Sequence, residues 1–229
     1  MTSAAYYEEA WRLFAEKQYA AALVSIEQAI DLDASQPKFW FFKGRTLRQQ
    51  ADYHAALKAF TECLSLNATH YQCMVERGEV FCQLDRFAEG LADFDQAIQL
   101  QHDGYSGHYF RACVLEDLGR MDEALLTFDR AISINPENEL GHLHKGRLNV
   151  RLERFEAAAF LFEKAISLNP QHPESYYSRG ELRYNQGQLL EALQDFNVVI
   201  DFDPDHERAL HKIRLISEEL DAENRSSRY

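Results

Sequence analysis

Nine histidines, four cysteines and 37 acidic residues are the side chains of this 229-residue sequence that could do chemistry. Their spacing gives them little to do. His142 and His144 are two apart, so on a helix they face different ways. His102 and His108 flank a glycine-containing junction, and neither pair has the H-E-x-x-H setting of a zinc site. Cys63, Cys73, Cys82 and Cys113 form no C-x-x-C pair and match no metal or disulfide framework. Cys63 and Cys113 read as ordinary buried thiols. There is no G-x-S-x-G, no glycine-rich phosphate loop and no dinucleotide fingerprint. Carboxylates are abundant, but helix surfaces carry them by default, and a catalytic acid and base need a geometry that spacing does not supply. The expectation is a chain that is not an enzyme, with no metal and no cofactor.

Composition points the same way. The formal net charge is -13, from 24 basic and 37 acidic residues. A general nucleic-acid partner is disfavoured, because phosphate binding needs a basic surface. No run approaches 18 uninterrupted apolar residues, so no direct membrane insertion is expected. The start, MTSAAYYEEAWRLF, has neither the basic residues nor the apolar stretch of a signal peptide. With unpaired cysteines, this leads to an expected cytoplasmic, reducing location.

The elements that would position any site are set by an internal repeat. Small residues recur every 34 positions at Ala10, Gly44, Gly78, Ala112, Gly146 and Gly180. Twelve positions later come Ala22, Ala56, Gly90, Ala124, Ala158 and Ala192. An apolar column follows at Ile26, Phe60, Phe94, Phe128, Phe162 and Phe196, then Ala29, Cys63, Ala97, Ala131, Ala165 and Val199. Spacings of three and four make one helix face, and small residues let two helices approach closely. Each unit is therefore a helix pair that needs neighbours to bury its apolar face. Turn signals fall between the helices at Asp117-Leu118-Gly119-Arg120 and Asn185-Gln186-Gly187-Gln188. Others fall between units at Asn135-Pro136, Asn169-Pro170 and Asp203-Pro204. Gly90, where alanine is usual, is expected to weaken its helix by up to ~1 kcal/mol.

This pattern resembles the tetratricopeptide-repeat (TPR) family. The second unit carries Trp40, Gly44, Leu47, Tyr53, Ala56 and Phe60, and the fifth Gly146, Phe155, Ala158, Phe162, Ala165 and Pro170. The fold class expected is all-α, an α-solenoid of antiparallel helix pairs. The resemblance implies a right-handed superhelix with the first helix of each unit on the concave side. Six contiguous units are assigned to 3–36, 37–70, 71–104, 105–138, 139–172 and 173–206. A capping helix is assigned to 207–221, and 222–229 reads as a frayed tail.

What the resemblance implies about function is a non-catalytic protein-interaction module, a scaffold or adaptor holding a protein or peptide in its groove. The groove positions name Lys38, Phe41, Arg45, Arg48, Glu79, Tyr109, His144, Arg147, Arg151, Tyr177 and Tyr184 as candidate partner contacts. Aromatic and arginine side chains are common interface anchors. A partner with acidic segments opposite Arg45/Arg48 and Arg147/Arg151 is one expectation; pairing of these arginines with neighbouring acids such as Glu76, Glu79 and Glu116 is the other. Tyr7, Trp11 and Phe14 are candidates for self-association through the first repeat, in a monomer or weak homo-oligomer, or else are half-buried packing residues. A co-chaperone clamp for a chaperone tail is a further alternative, but its Lys and Asn set is missing: Tyr7, Trp11, Phe42, Gln72 and Glu76 stand there.

Overall fold

The computed structural model describes residues 1–226. All regular structure among them is helical, thirteen α-helices with no strand, packed within each unit as antiparallel pairs such as α1 with α2 and α9 with α10. They form two compact units divided after Arg120. The first holds α1 (Ser3–Ala15), α2 (Tyr19–Leu32), α3 (Pro37–Gln49), α4 (Tyr53–Leu66), α5 (Tyr71–Gln83), α6 (Phe87–Leu100) and α7 (Tyr105–Asp117). The second holds α8 (Met121–Ile134), α9 (Glu139–Arg151), α10 (Phe155–Leu168), α11 (Pro173–Asn185), α12 (Leu189–Phe202) and α13 (Glu207–Ser226).

The columns read from the sequence are the core. Ile26, Phe60, Phe94, Phe128, Phe162 and Phe196 are all buried, as are Ala22, Ala56, Ala124, Ala158 and Ala192. The small residue of each first helix exists for the ring of the second. At Gly44 a Cβ would stand 2.5 Å from the Phe60 ring. In the first repeat Ala10 is tolerated in the same cluster as Ile26, a smaller side chain than phenylalanine. Gly90 departs from expectation. It is no mere helix weakener, because a Cβ there would lie 2.6 Å from Cys82 Sγ and 3.0 Å from the Gly78 carbonyl oxygen. Only glycine fits that approach unless one of these atoms moves.

Both kinds of turn have a chemical cause. Between the helices of a repeat the chain enters the left-handed region at Lys17, Ala51, Asp85, Gly119, Glu153 and Gly187, a column spaced by 34. There the amide after the turn residue returns to the last helical turn, as Gln18 N–H does to the Leu13 carbonyl at 2.9 Å. Between repeats, Asp33, Asn67, Asn169 and Asp203 each accept the amide two residues on, at 3.1 to 3.3 Å. The next helix is then capped, by His70 Nδ1 accepting from Cys73 N–H at 3.2 Å or by Asn138 accepting from Leu140 N–H at 3.0 Å.

The closing helix is longer than the sequence suggests. It runs to Ser226, so residues 222–226, read as part of a frayed tail, are helical. No glycine or proline interrupts the chain after Glu207, and helix formers such as Glu218, Glu219 and Ala222 carry it on. Residues 227–229 lie outside the described residues. Ala209 and Ile216 of α13 are buried against Tyr177, Phe196 and Val199.

Candidate partner-binding faces

The candidate residues fall on two faces, one in each unit. In the first unit, α1 and α3 place aromatic rings around an arginine. Tyr7, Trp11 and Phe14 pack on Phe42 with ring centres 5.7, 4.8 and 5.4 Å apart. Trp11 is still 40% exposed. The Arg45 guanidinium carbon stands 5.5, 5.6 and 5.7 Å from the ring centres of Trp11, Phe14 and Phe41. Lys38 lies 5.4 Å from the Tyr7 ring centre.

Acids from α5 meet this edge. Arg48 donates to Glu79 at 2.9 Å and lies 3.6 Å from Glu76. Arg45 Nε lies 3.5 Å from Glu76 Oε1 but makes no hydrogen bond. Burial pushes the Glu79 carboxyl up to about 7, against the pull of Arg48 and with the push of Glu76. On α7, Tyr109 is buried and stacks on Tyr105 with ring centres 5.5 Å apart. Burial and then the charge of Glu116 raise the Cys113 thiol to about 12, so it stays protonated at neutral pH.

In the second unit, Arg147 donates to Ser178 at 3.0 Å and is paired with Glu174. Arg151, four residues on, is exposed. His144 faces the Phe128 ring, and its burial and then Arg147 hold it neutral down to about pH 4. Tyr177 is buried and donates to Glu181 at 2.9 Å beneath Arg208, whose guanidinium carbon is 4.4 Å from the ring centre. Burial, then Glu181, raises that phenol to about 12. Tyr184 donates to Glu219 of α13 at 2.6 Å, with Lys212 4.6 Å from its ring centre. Sequence reasoning had not placed α13 on this face.

The histidines have structural employment. His70 and His206 cap α5 and α13 through Nδ1, at 3.2 and 3.1 Å. His108 and His142 stand at the position of Trp40 and, like its indole, donate to a carbonyl six residues back, at 3.1, 3.0 and 2.8 Å. Among the described residues no group of three or more His, Cys, Asp or Glu could hold a metal ion.

Tetratricopeptide-repeat family models match residues 37–70, 75–139 and 143–207, most of the chain. The chain belongs to the tetratricopeptide-repeat family. Repeats occupy it almost throughout, and it is a TPR scaffold of the general protein-interaction kind. No curated protein matches it significantly. Solved structures share its fold at low identity. PilW, a type IV pilus biogenesis factor, is 17% identical, with 93% of this chain and 97% of that one covered and a TM-score of 0.82. MamA from Desulfovibrio magneticus RS-1 is 19% identical over 74% and 96%, with a TM-score of 0.66. YrrB, described as a TPR protein with an unusual peptide-binding site, is 20% identical over 81% and 96%, with a TM-score of 0.59.

Against the TPR pattern one column departs. The family places leucine before the small residue of the first helix. Here Lys43, Arg77, Arg111, Lys145 and Arg179 stand there. Lys43 and Arg111 reach the second helix of the preceding repeat, at Glu27 and Asp95, 2.8 and 2.7 Å away. Lys145 likewise pairs with Asp129. Arg77 and Arg179 turn instead to Asp93 and Asp195 of their own repeats, in two-pronged pairs. A column of five basic residues spaced by 34 was the signal available in the sequence, and it went unread.

Proposed function

We propose that the faces built by the first helices of the TPR units bind a segment of a partner protein, with the chain acting as scaffold or adaptor. The observation that carries this is the set of rings and arginines that α1, α3 and α5 bring together, Trp11, Phe14 and Phe41 around Arg45 beside Arg48 and Glu79. Large rings and arginines give the greatest binding free energy per residue in protein interfaces. YrrB, a structural relative, is described as having a peptide-binding site, which agrees with this use of the fold. Peptides selected from a random display library against the intact chain test it. Folded Arg45→Glu/Arg48→Glu and Arg147→Glu/Arg151→Glu variants should each be compared with the parent. Loss of binding by about tenfold or more in either variant supports the reading. Selected peptides that bind all variants equally would move the site off these faces.

Self-association is the second reading, favoured by the 40% exposure of Trp11 beside Tyr7 and Phe14. It expects a mass that rises with concentration in sedimentation and falls back to the monomer in Trp11→Ser.

A further inference from the structure

We propose that Arg45 anchors a carboxylate-binding site on the first unit, taking an acidic group of a partner peptide while a neighbouring apolar side chain of that peptide rests on Trp11. The proposal rests on the reading that the first-helix faces bind a partner, and it names the chemistry one of them selects.

Arg45 differs from the other groove arginines in how its donors are spent. Arg48 donates to Glu79, and Arg147 to Ser178 and Glu174. Among the described residues Arg45 donates to nothing, and the one acidic neighbour within 4 Å is Glu76, whose Oε1 stands 3.5 Å from Nε with no hydrogen bond between them. A guanidinium carries five N–H donors in a rigid fork that matches a carboxylate. Here it is held in place without any of them, by three rings on α1 and α3. Its side chain remains 29% exposed. Little orientational freedom is left to lose, so a carboxylate meets a prepared fork. Trp11, the exposed ring of the three, offers the adjoining apolar contact.

Arg45 and Arg48 on α3 face Glu76 and Glu79 on α5, so the charges of the two helices balance and an incoming anion gains from any proton taken up there. Glu79, already pushed up to about 7, would take up a proton as an anion approaches, and Arg48 would then be released to share the load. The charged groups facing Glu79 are Arg48 of α3 and Glu76 of α5; Asp93 of α6 and Asp117 of α7 lie beyond, around Cys82. Affinity should therefore rise as pH falls from 8 to 6.

The test follows the side-chain N–H resonances of Arg45 and the indole N–H of Trp11 by NMR in the intact chain. The probes are acetylated, amidated tripeptides with phenylalanine on both sides of glutamate, glutamine or lysine. A fourth has central glutamine and a free C-terminus. Expected is a response of both resonances to the glutamate peptide at about tenfold lower concentration than to the glutamine peptide, with the lysine peptide weakest. Arg45→Lys should lose about tenfold because the ammonium lacks the fork. Glu79→Gln should flatten the pH dependence. If the free-terminus peptide equals the glutamate peptide, the site takes any carboxylate; if not, it takes a side chain. Equal binding of glutamate and glutamine peptides, or no response at Arg45 at millimolar concentration, overturns the proposal. Peptides that shift other first-helix residues but leave Arg45 unmoved sink it while leaving the groove reading intact. Display-selected partners insensitive to all first-helix variants sink both.

Discussion

At the scale of single residues, position in the repeat does not fix what a side chain does; its neighbours do. Gly90 shows this for packing. The sequence alone makes alanine the better helix former there, but the close approach of α5 forbids the extra methyl. Gly90→Ala should destabilise the chain by about 1–3 kcal/mol, an overpacking cost rather than a propensity gain. Cys82→Ala should recover part of the loss, since the Gly78 carbonyl remains in the way; urea unfolding of both single variants and the double variant checks it. Glu79 and His144 show the same for charge. The Glu79 pKa is raised to about 7 by burial, so its stabilising share is full below 4.5 and is lost as pH rises through 7. The His144 pKa is lowered to about 4, so its share is full above 6.5 and is lost as pH falls through 4. The two slopes oppose each other between pH 4.5 and 6.5. Glu79→Gln should make stability climb more steeply with pH than in the parent, and His144→Gln should make it fall, by up to about 1 kcal/mol per pH unit. Parallel stability profiles for all three proteins would contradict this assignment. None of it was legible in the sequence, because burial depends on which helix faces which.

Among the elements, the helix pairs themselves were legible, and the reason is physical. The columns at Gly44, Ala56 and Phe60 and their repeats encode one close helix contact many times over, so chance matches are averaged away. The turns were half legible. Glycine marks the left-handed position at Gly119 and Gly187, while Lys17, Ala51, Asp85 and Glu153 adopt it without that signal. Arg45 and Arg48 were both named as groove positions, but the sequence does not say which one is already engaged. The basic column before the small residue was present at every unit after the first and was missed, because a lysine or arginine on a helix usually means only a solvated face. Its members are unequal in energy. Asp93, the partner of Arg77, is 5% exposed, whereas the side chain of Asp95, the partner of Arg111, is 51% exposed. Arg77→Leu strands a buried carboxylate and should cost about 3–5 kcal/mol. Arg111→Leu breaks a pair already in water and should cost about 0–1 kcal/mol. Thermal melts at low and high salt separate them: the small Arg111 contribution should vanish with salt, and that of Arg77 should persist. Equal losses would mean that the column acts through its apolar stems and not through partner burial.

For the molecule as a whole, the consequence of a repeat is locality. Each helix pair rests on its neighbours in sequence, so stability is close to a sum of units and adjoining contacts, and an end can open without the rest. In the second unit α13 packs on the last repeat, with Ile216 fully buried against the cluster of Tyr177, Phe196 and Val199. Ile216→Ala should cost about 2–5 kcal/mol locally. Because Arg208 and Lys212 of the same helix lie over Tyr177 and Tyr184, that loss should also loosen the candidate face of the second unit. Hydrogen exchange of the intact chain should then show protection falling in α11, α12 and α13 and unchanged in α1 to α5. Uniform loss across all thirteen helices would instead mean that the chain unfolds as one cooperative body, and that a partner held on one face senses the state of the other.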